Sequence, residues 1–496
     1  MFDPKILPNV VAGGSATGEM SVNDLNDLRK ALTAGYGTDV STLTGGGSLR
    51  IQSLERTMLS TIQENKHFRL FNELAKSDAT ATVDEWTEQS SVGGFMGSST
   101  NSELGVIPQD QGSYARRVGM VKYLMTMRQV SFVQSLQNTI VDSQTVEQRN
   151  GALKLLTDAE FLSFEGDSTA VPTEFDGIYA QIVAGVAAGQ VDAGNLVDLR
   201  GATLSSIGPI NQAAAKIAGY GNYGTPTHMF CSQNTQADFD TSLDPAFRVP
   251  LTDVAGGGTQ LGAPVKGIRT SWGDIANMPD VFIRDQDQLV PFENLAPAVA
   301  AANTFAPAGV AVAPNAADPA SQFNASSAGN YYYLVAGVNA LGQSVGVISA
   351  QVAVAVGGNA QLTITRSAGA QETGYVIYRT RLNGTANKVT TDGSLSDFRQ
   401  MIRIPASGNP TTVYVDRNAD IPGTSKAFIL NMLPGAQAIN WRQLLPMLKF
   451  PLYPTNQAVL PWAQMMFGYL RIGKRRQHAV FKNVLPTVAP WRPFNV

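Results

Sequence analysis

The sequence is poor in the residues on which catalysis and metal binding depend. Its 496 residues include one cysteine, Cys231, and three histidines, His67, His228 and His478. A single cysteine excludes an intrachain disulfide and a cysteine-based zinc site, and it fits a reducing compartment. The histidines lie far apart, with neither HxH nor HxxxH spacing, and each reads as a structural or surface residue. Charge is scarce too. Charged residues make up 15% of the chain, 36 basic against 39 acidic, and a net charge of -3 gives no general electrostatic reason to bind nucleic acid or anionic lipid. No stretch offers about 18 uncharged apolar residues free of proline, and the opening "MFDPKILPNV" has an acidic residue and prolines where a signal peptide needs an apolar core. Neither secretion nor a membrane span is expected. What remains is a chain with 44% hydrophobic residues and 47 glycines, long enough for two to four domains. Its weakly charged surface suits a protein that covers itself with copies of itself, although a polar, uncharged monomer would show the same composition.

A nucleophile with its base, a metal cluster or a phosphate loop would leave a pattern, and none is found. The glycine-rich "TGGGS" and "AGGGTQLG" lack the GxxxxGK[ST] and GxGxxG forms. The carboxylate pairs Asp84/Glu85 and Glu165/Asp167 have no partner set by spacing. No catalytic residue, cofactor or metal is expected. The one concentration of positive charge, Arg471, Lys474, Arg475, Arg476 and Lys482, reads first as a solvated or intersubunit strand. A nucleic-acid contact that neutralises a few phosphates is the second reading.

Residues 1–50, rich in Gly, Ser, Thr and Asn, read as an arm that orders only against something else, with a short helical pattern at Leu25, Leu28 and Leu32. Over 49–75, Ile51, Leu54, Met58, Leu59 and Ile62 recur at helical spacing and predict an amphipathic helix. Residues 78–130 place alternating strands around the tip "SSVGGFMGSSTNSELG", the pattern of a long hairpin or extended loop that is marginal alone and should lie on a neighbour. The longest helical pattern covers 142–165. Thr145 and Gln148 fit a capping box, Val146, Leu153, Leu156, Ala159 and Phe161 or Leu162 supply an apolar face, and Gly166 fits a stop.

Residues 191–295 read as mixed α/β, with a helix across "NLVDLRGATLSSIGPINQAAAKIAG", a buried strand in "PTHMFCSQ" and further strand pairs. Residues 296–328, dominated by Ala, Pro, Asn and Ser, read as a linker or a loosely packed surface strand. The short strands of 330–421 suit a small β-sandwich in which "ETGYVIYRTRLNG" is one strand running into a turn. Its tyrosine-rich first strand with "VNALGQS", and "GYVIYR", resemble fibronectin type III and immunoglobulin-like modules. Mixed character returns in "AQAINWRQLLPMLKFPL", which implies an insertion into a parent domain rather than an appended tail.

At "AEFLSFEGDSTAVPTEFDGIYAQI", "GIRTSWGDIANMPDVFI", "LLPMLKFPLYP" and "YLRIGKRRQHAVFKNV" the chain resembles the major capsid proteins of large tailed bacteriophages, which have the Hong Kong 97 fold. The likeness spans most of 50–295 and 426–496, and its order is more specific than any one motif. It implies an α+β fold laid out as an N-terminal arm and helix (1–77), an extended loop (78–130), a peripheral domain with a spine helix (131–190) and the first part of an axial domain (191–295). An inserted immunoglobulin-like β-sandwich (296–425), the axial completion (426–455) and C-terminal peripheral strands (456–496) follow. It implies a structural protein, not an enzyme, that self-assembles into hexamers and pentamers of an icosahedral head. The implied partners are portal and scaffold or decoration proteins, and double-stranded DNA held without sequence specificity. The implied location is the virion, after assembly in the host cytoplasm.

Under the same resemblance, intersubunit contacts are expected at Trp86, Phe95, Arg116, Arg117, Arg475 and Arg476. Some family members link a lysine of the extended loop to an asparagine of a neighbour, but residues 77–121 contain no lysine, so a non-covalent shell is expected. Many relatives lose an N-terminal scaffolding segment; with the chain numbered from Met1, no such removal is expected. The competing reading is a phage tail or surface adhesin that binds host glycan through its β-sandwich. An exposed aromatic cluster at Tyr331 to Tyr333 would favour it, although those tyrosines read more readily as core. A hydrolase ranks third, disfavoured by the missing constellation.

Overall fold

A computed structural model describes residues 62–137, 142–242, 265–286, 304–386, 397–454 and 457–494. Two compact units are distinguished: Met1–Thr61 with Asn138–Asp142, of which Asp142 alone is described, and Ile62–Gln137 with Ser143–Val496. The expected arm at 1–50 and most of the helix expected over 49–75 lie outside the described residues. The described end of that helix is broken. A 3-10 turn at Asn65–His67 is followed by the short helix α1, Arg69–Glu73, and then by strand β1, Lys76–Asp78. The interruption falls at Phe68, which leaves helical geometry to bury its ring and stack it on Phe282 at 5.3 Å.

One sheet has the order β1, β20 (Ile439–Pro451), β21 (Val459–Ile472) and β4 (Lys122–Ser131). Strands β20, β21 and β4 pair antiparallel, and β1 joins β20 in parallel. After the short helix α2 (Phe132–Leu136), the long helix α3 (Ser143–Glu165) packs on one face of this sheet. Gln464 donates to the Gln148 carbonyl at 2.8 Å, and Arg128 pairs with Glu147 at 3.2 Å. The helix begins earlier than a Thr145 cap requires. Thr145 lies inside the first turn, and Gln148, rather than closing a capping box, accepts from Lys449 at 3.1 Å. Leu153, Leu155, Ala159 and Phe164 are buried, and so are Glu160 and Ser163.

A second sheet has the order β5 (Leu196–Asp198), β22 (Ala479–Val484), β19 (Ser425–Leu430), β6 (His228–Cys231), β8 (Gly273–Pro279) and β7 (Gly267–Thr270). Helices α5 (Ile207–Ala218) and α6 (Gln233–Thr241) bury Ile210, Ala214, Ile217 and Phe239 against Met229, Ile429 and Phe481 of this sheet. The helix expected across 195–219 is helical only in its second half. Leu196–Asp198 is an edge strand, and the chain then turns through Arg200 (φ 53) and Gly201 (φ 81), left-handed positions that no right-handed helix passes. Between the two sheets, with helix α4 (Ile178–Ala187), lies the main core. There the Trp441 ring takes the edges of Phe71 at 5.2 Å and Phe175 at 5.3 Å.

Within 304–416 the described residues form strands and turns without a helix. Strands β9 (Gly309–Asn315), β15 (Asn359–Thr365) and β18 (Thr411–Asp416) form one sheet with β15 in the middle. In a second, β11 (Tyr333–Asn339) pairs with β12 (Gly342–Gln343), β13 (Val347–Ile348) and β16 (Gly374–Thr380), which pairs with β17 (Phe398–Pro405). The pair β10 (Gly329–Tyr331) and β14 (Val352–Val354) completes the set. The stretch read as a linker contains the paired strand β9, and Phe305 and Phe323 within it are buried. All seven residues of β16 are buried, because Tyr375 and Ile377 face one core while Val376 and Tyr378 face another that also holds Val171. That second core joins the β segment to the loop after α3, where Glu174 accepts both guanidinium arms of Arg403 at 3.1 and 3.0 Å.

Candidate functional site

Among the described residues, strands β2 (Val83–Ser91) and β3 (Ser113–Met120) pair only with each other. The hairpin therefore ends at Met120, earlier than the sequence pattern suggests. Buried Val121 donates its N–H to the Thr82 carbonyl at 2.9 Å, and the chain after it runs as β4 into the four-stranded sheet. At Gly119 the hairpin lies so close to the body that a Cβ would overlap the Tyr469 ring.

The hairpin is fastened at its base by charge. Asp84 accepts from Arg442 Nε at 2.9 Å and Nη2 at 3.0 Å and from the Tyr469 hydroxyl at 2.6 Å, with Arg471 at 3.6 Å. Burial alone would raise the Asp84 carboxyl, but the Arg442 and Tyr469 hydrogen bonds outweigh it and hold the group below its ordinary value. Two residues along, the Trp86 ring lies under the Arg471 guanidinium at 5.7 Å. Glu88, on the same face, meets Arg117 at 3.1 Å and Arg475 at 3.9 Å. Arg475 and Arg476 both reach Gln190, at 3.2 Å on its side chain and 2.7 Å on its carbonyl. Burial, then the neighbouring Arg117, pull the Arg475 guanidinium below its usual value.

The structure thus gathers Trp86, Arg117 and Arg475 at the base of the hairpin, with Arg476 beside them on the Gln190 carbonyl. Arg116 lies apart, exposed and paired with Glu85. Phe95 stands at the tip. With Val92, Met96, Leu104, Val106 and Ile107 it forms an apolar group in which every side chain is more than three-quarters exposed. Two clefts flank the hairpin. One, of about 580 Å³, is lined by Trp86, Arg117, Lys122 and Tyr469; the other, of about 820 Å³, by Phe95, Tyr220, Tyr223 and Lys474.

A second apolar surface escaped the sequence reading. On the sheet face away from α3, Tyr123, Met125 and Met127 of β4 stand opposite Phe467, Met465 and Ala463 of β21, which stand opposite Leu445, Leu448 and Phe450 of β20. Tyr123, Met125, Met127, Leu448 and Phe450 are each about half exposed or more. In "KYLMTMRQ" the large apolar residues Tyr123, Met125 and Met127 share one phase of the alternation, which periodicity alone would turn towards a core; the structure turns that phase outward and places Leu124, Thr126 and Arg128 on the side of α3.

The basic run does not form a free patch. Arg471 is engaged with Asp84 and Asn440, Arg475 and Arg476 with Gln190, and Lys482 with the Ala419 carbonyl at 3.0 Å; Lys474 is exposed. Among the described residues no group of three His, Cys, Asp or Glu could hold a metal ion. Burial pushes the Cys231 thiol up to about 12, which makes it a poor nucleophile, and pushes the His478 imidazole down to about 4. Tyr331 and Tyr333 are buried, so the exposed tyrosine cluster that a glycan-binding face would use is not formed.

No protein-family model matches the chain. Among curated proteins it is similar to the major capsid protein of Staphylococcus phage S25-3, 24% identical over 469 residues, covering 92% of this chain and 95% of the relative. The major capsid protein of Staphylococcus phage K shows the same identity and coverage. Among solved structures the chain is similar to the capsid of a native GTA particle (TM-score 0.45, 8% identity, 90% of this chain and all of that one) and to a chain of Mycobacterium phage Adephagia (TM-score 0.40, 11% identity, 92% and all).

Proposed function

We propose that this chain is the major capsid protein of a tailed phage, resident in the virion shell. The observation that carries the reading is collinear similarity over nearly the whole length of curated major capsid proteins. Two exposed apolar surfaces of unlike shape, the hairpin tip and the outer face of β4, β21 and β20, support it, since a closed shell needs heterologous contacts between different parts of identical subunits. In this reading the fold is of the Hong Kong 97 type, the hairpin of residues 83–120 supplies its extended loop and α3 its spine helix. The strands of 304–416 are an immunoglobulin-like insertion, consistent with a six-stranded sheet drawn from both sides of them. Subunits associate into hexamers and pentamers around double-stranded DNA, with portal and scaffold or decoration proteins as partners. The tip residue Phe95 and the exposed Arg116 are the intersubunit contacts best placed to act directly, while Trp86, Arg117, Arg475 and Arg476 set the angle at which the hairpin projects.

The absence of lysine from 77–121 supports a shell without covalent links through this loop. Light scattering of the purified full chain over a concentration series tests the reading: particles far above the 52.7 kDa of one chain are expected, and a mass that stays at one chain would refute it.

A further inference from the structure

We propose that Glu160 of α3 and Asp280, which follows β8, share one proton and so form a latch that holds residues 68–73 to both, and that the latch opens when this proton leaves at alkaline pH. Both side chains are fully buried. Glu160 accepts from the backbone N–H of Leu70 at 2.7 Å and of Phe71 at 2.8 Å, which ties the first turn of α1 to α3. Asp280 uses Oδ1 to accept from the Phe282 N–H at 2.8 Å, and its own N–H donates to the Cys231 carbonyl at 2.9 Å. Among the described residues Asp280 Oδ2 is buried with no hydrogen-bond donor upon it, the Leu70 N–H that Glu160 accepts acts on Asp280 as well, and the two carboxyls lie within hydrogen-bonding reach of each other. Two carboxylates in contact without a donor repel, whereas one proton between them satisfies both oxygens. Phe282, stacked on Phe68, adds an apolar clasp beside the polar one.

The charged and titratable groups facing the pair are few. Arg69 on α1 acts on Asp280 from the exposed side, and Cys231 on β6 lies behind it with Asp240 beyond. Arg284, on the same segment as Asp280, lies instead over the Phe161 ring at 5.0 Å. Burial first, then Asp280, push the Glu160 carboxyl up to about 9. A group raised in the closed state favours closure at low pH and loses that advantage as pH climbs towards the raised value. With one proton released on opening, the opening equilibrium grows up to about tenfold per pH unit between 4.5 and about 9.

The test is hydrogen exchange of the full chain from pH 6 to 9.5, with each rate divided by the intrinsic rate of its sequence. Asp280→Asn supplies the missing donor permanently through Nδ2. In the wild type, protection of residues 68–74 is expected to fall severalfold to tenfold per pH unit relative to residues 375–379, while Asp280→Asn stays flat. Equal slopes in the two proteins would overturn the latch. If Asp280→Asn does not fold, Glu160→Gln decides. It weakens protection at every pH by removing one acceptor, and a steep alkaline slope persisting in it would overturn the proposal equally.

Discussion

Arg379 and Asp416 form an ion pair at 2.6 Å in which neither side chain has any exposed surface. The guanidinium also donates to Asn418 at 2.7 Å and lies 4.9 Å from the Tyr331 ring and 5.4 Å from the Phe323 ring, while the Tyr333 hydroxyl donates to the same Asp416 oxygen at 2.7 Å. Every polar arm but Nε is matched, in the middle of the β segment. Removing one partner strands the other. Asp416→Ala is expected to destabilise the β segment by about 3–5 kcal/mol, whereas Arg379→Met with Asp416→Leu should cost less than either single change. Denaturant unfolding of the wild type, Asp416→Ala, Arg379→Met, Asp416→Leu and the double variant checks this, and additive losses would contradict it.

Asp84 gathers three groups of the body, so Asp84→Ala leaves Arg442 and Arg471 facing each other without a counter-ion. The expected outcome is a hairpin that detaches while the body remains folded, read as rapid proteolytic cleavage within 83–120 and failure to form large particles. The sign of the pH effect follows from the depressed carboxyl: the anchor is fully present above the ordinary aspartate range and weakens as pH falls below it. Cleavage in the wild type should therefore accelerate in acid.

The hairpin tip carries no such internal role. Replacing Phe95 and Ile107 together by serine should change the unfolding free energy by no more than about 0.5 kcal/mol each, because both are more than three-quarters exposed. Assembly should be lost. A variant that is as stable as the wild type and still forms particles would remove the tip from the interface.

His478 is fully buried, bonded through the Asn431 N–H at 3.3 Å and the Ala438 carbonyl at 3.4 Å, and burial holds its imidazole down to about 4. A depressed histidine stabilises above its ordinary value of 6.5 and withdraws that support as pH falls towards about 4, by up to about tenfold in the folding constant per unit. His478→Gln should flatten this acid limb in a pH series of melting curves. An unchanged limb would assign acid unfolding to other groups.

Much of the element order was legible: the long proline-free helical stretch of α3 and the Gly/Ser-rich tip between the two arms of the hairpin stand out without any tertiary knowledge. The expected apolar face of α3 was less so, since Val146, Leu156, Phe161 and Leu162 are only half-buried while Gly151, Leu155 and Phe164 are buried. What failed was decided by contacts remote in sequence. Leu196–Asp198 is a strand because β22, nearly three hundred residues later, offers it an edge, and β9 is ordered because β15 pairs with it. Val171 lies in the loop after α3, yet it plugs a core of the β segment. The anchor residues were identified by type, but their partners Asp84, Glu88 and Gln190 carry no local signal, and the buried Glu160 reads in sequence as one more solvated helix residue.

The central claim is that this chain closes upon copies of itself, and negative-stain electron microscopy of the purified full chain, alone and with candidate scaffold and portal proteins, tests it most directly. Closed shells, or rings of five and six subunits, are the predicted result. Monodisperse single chains under every condition would contradict it.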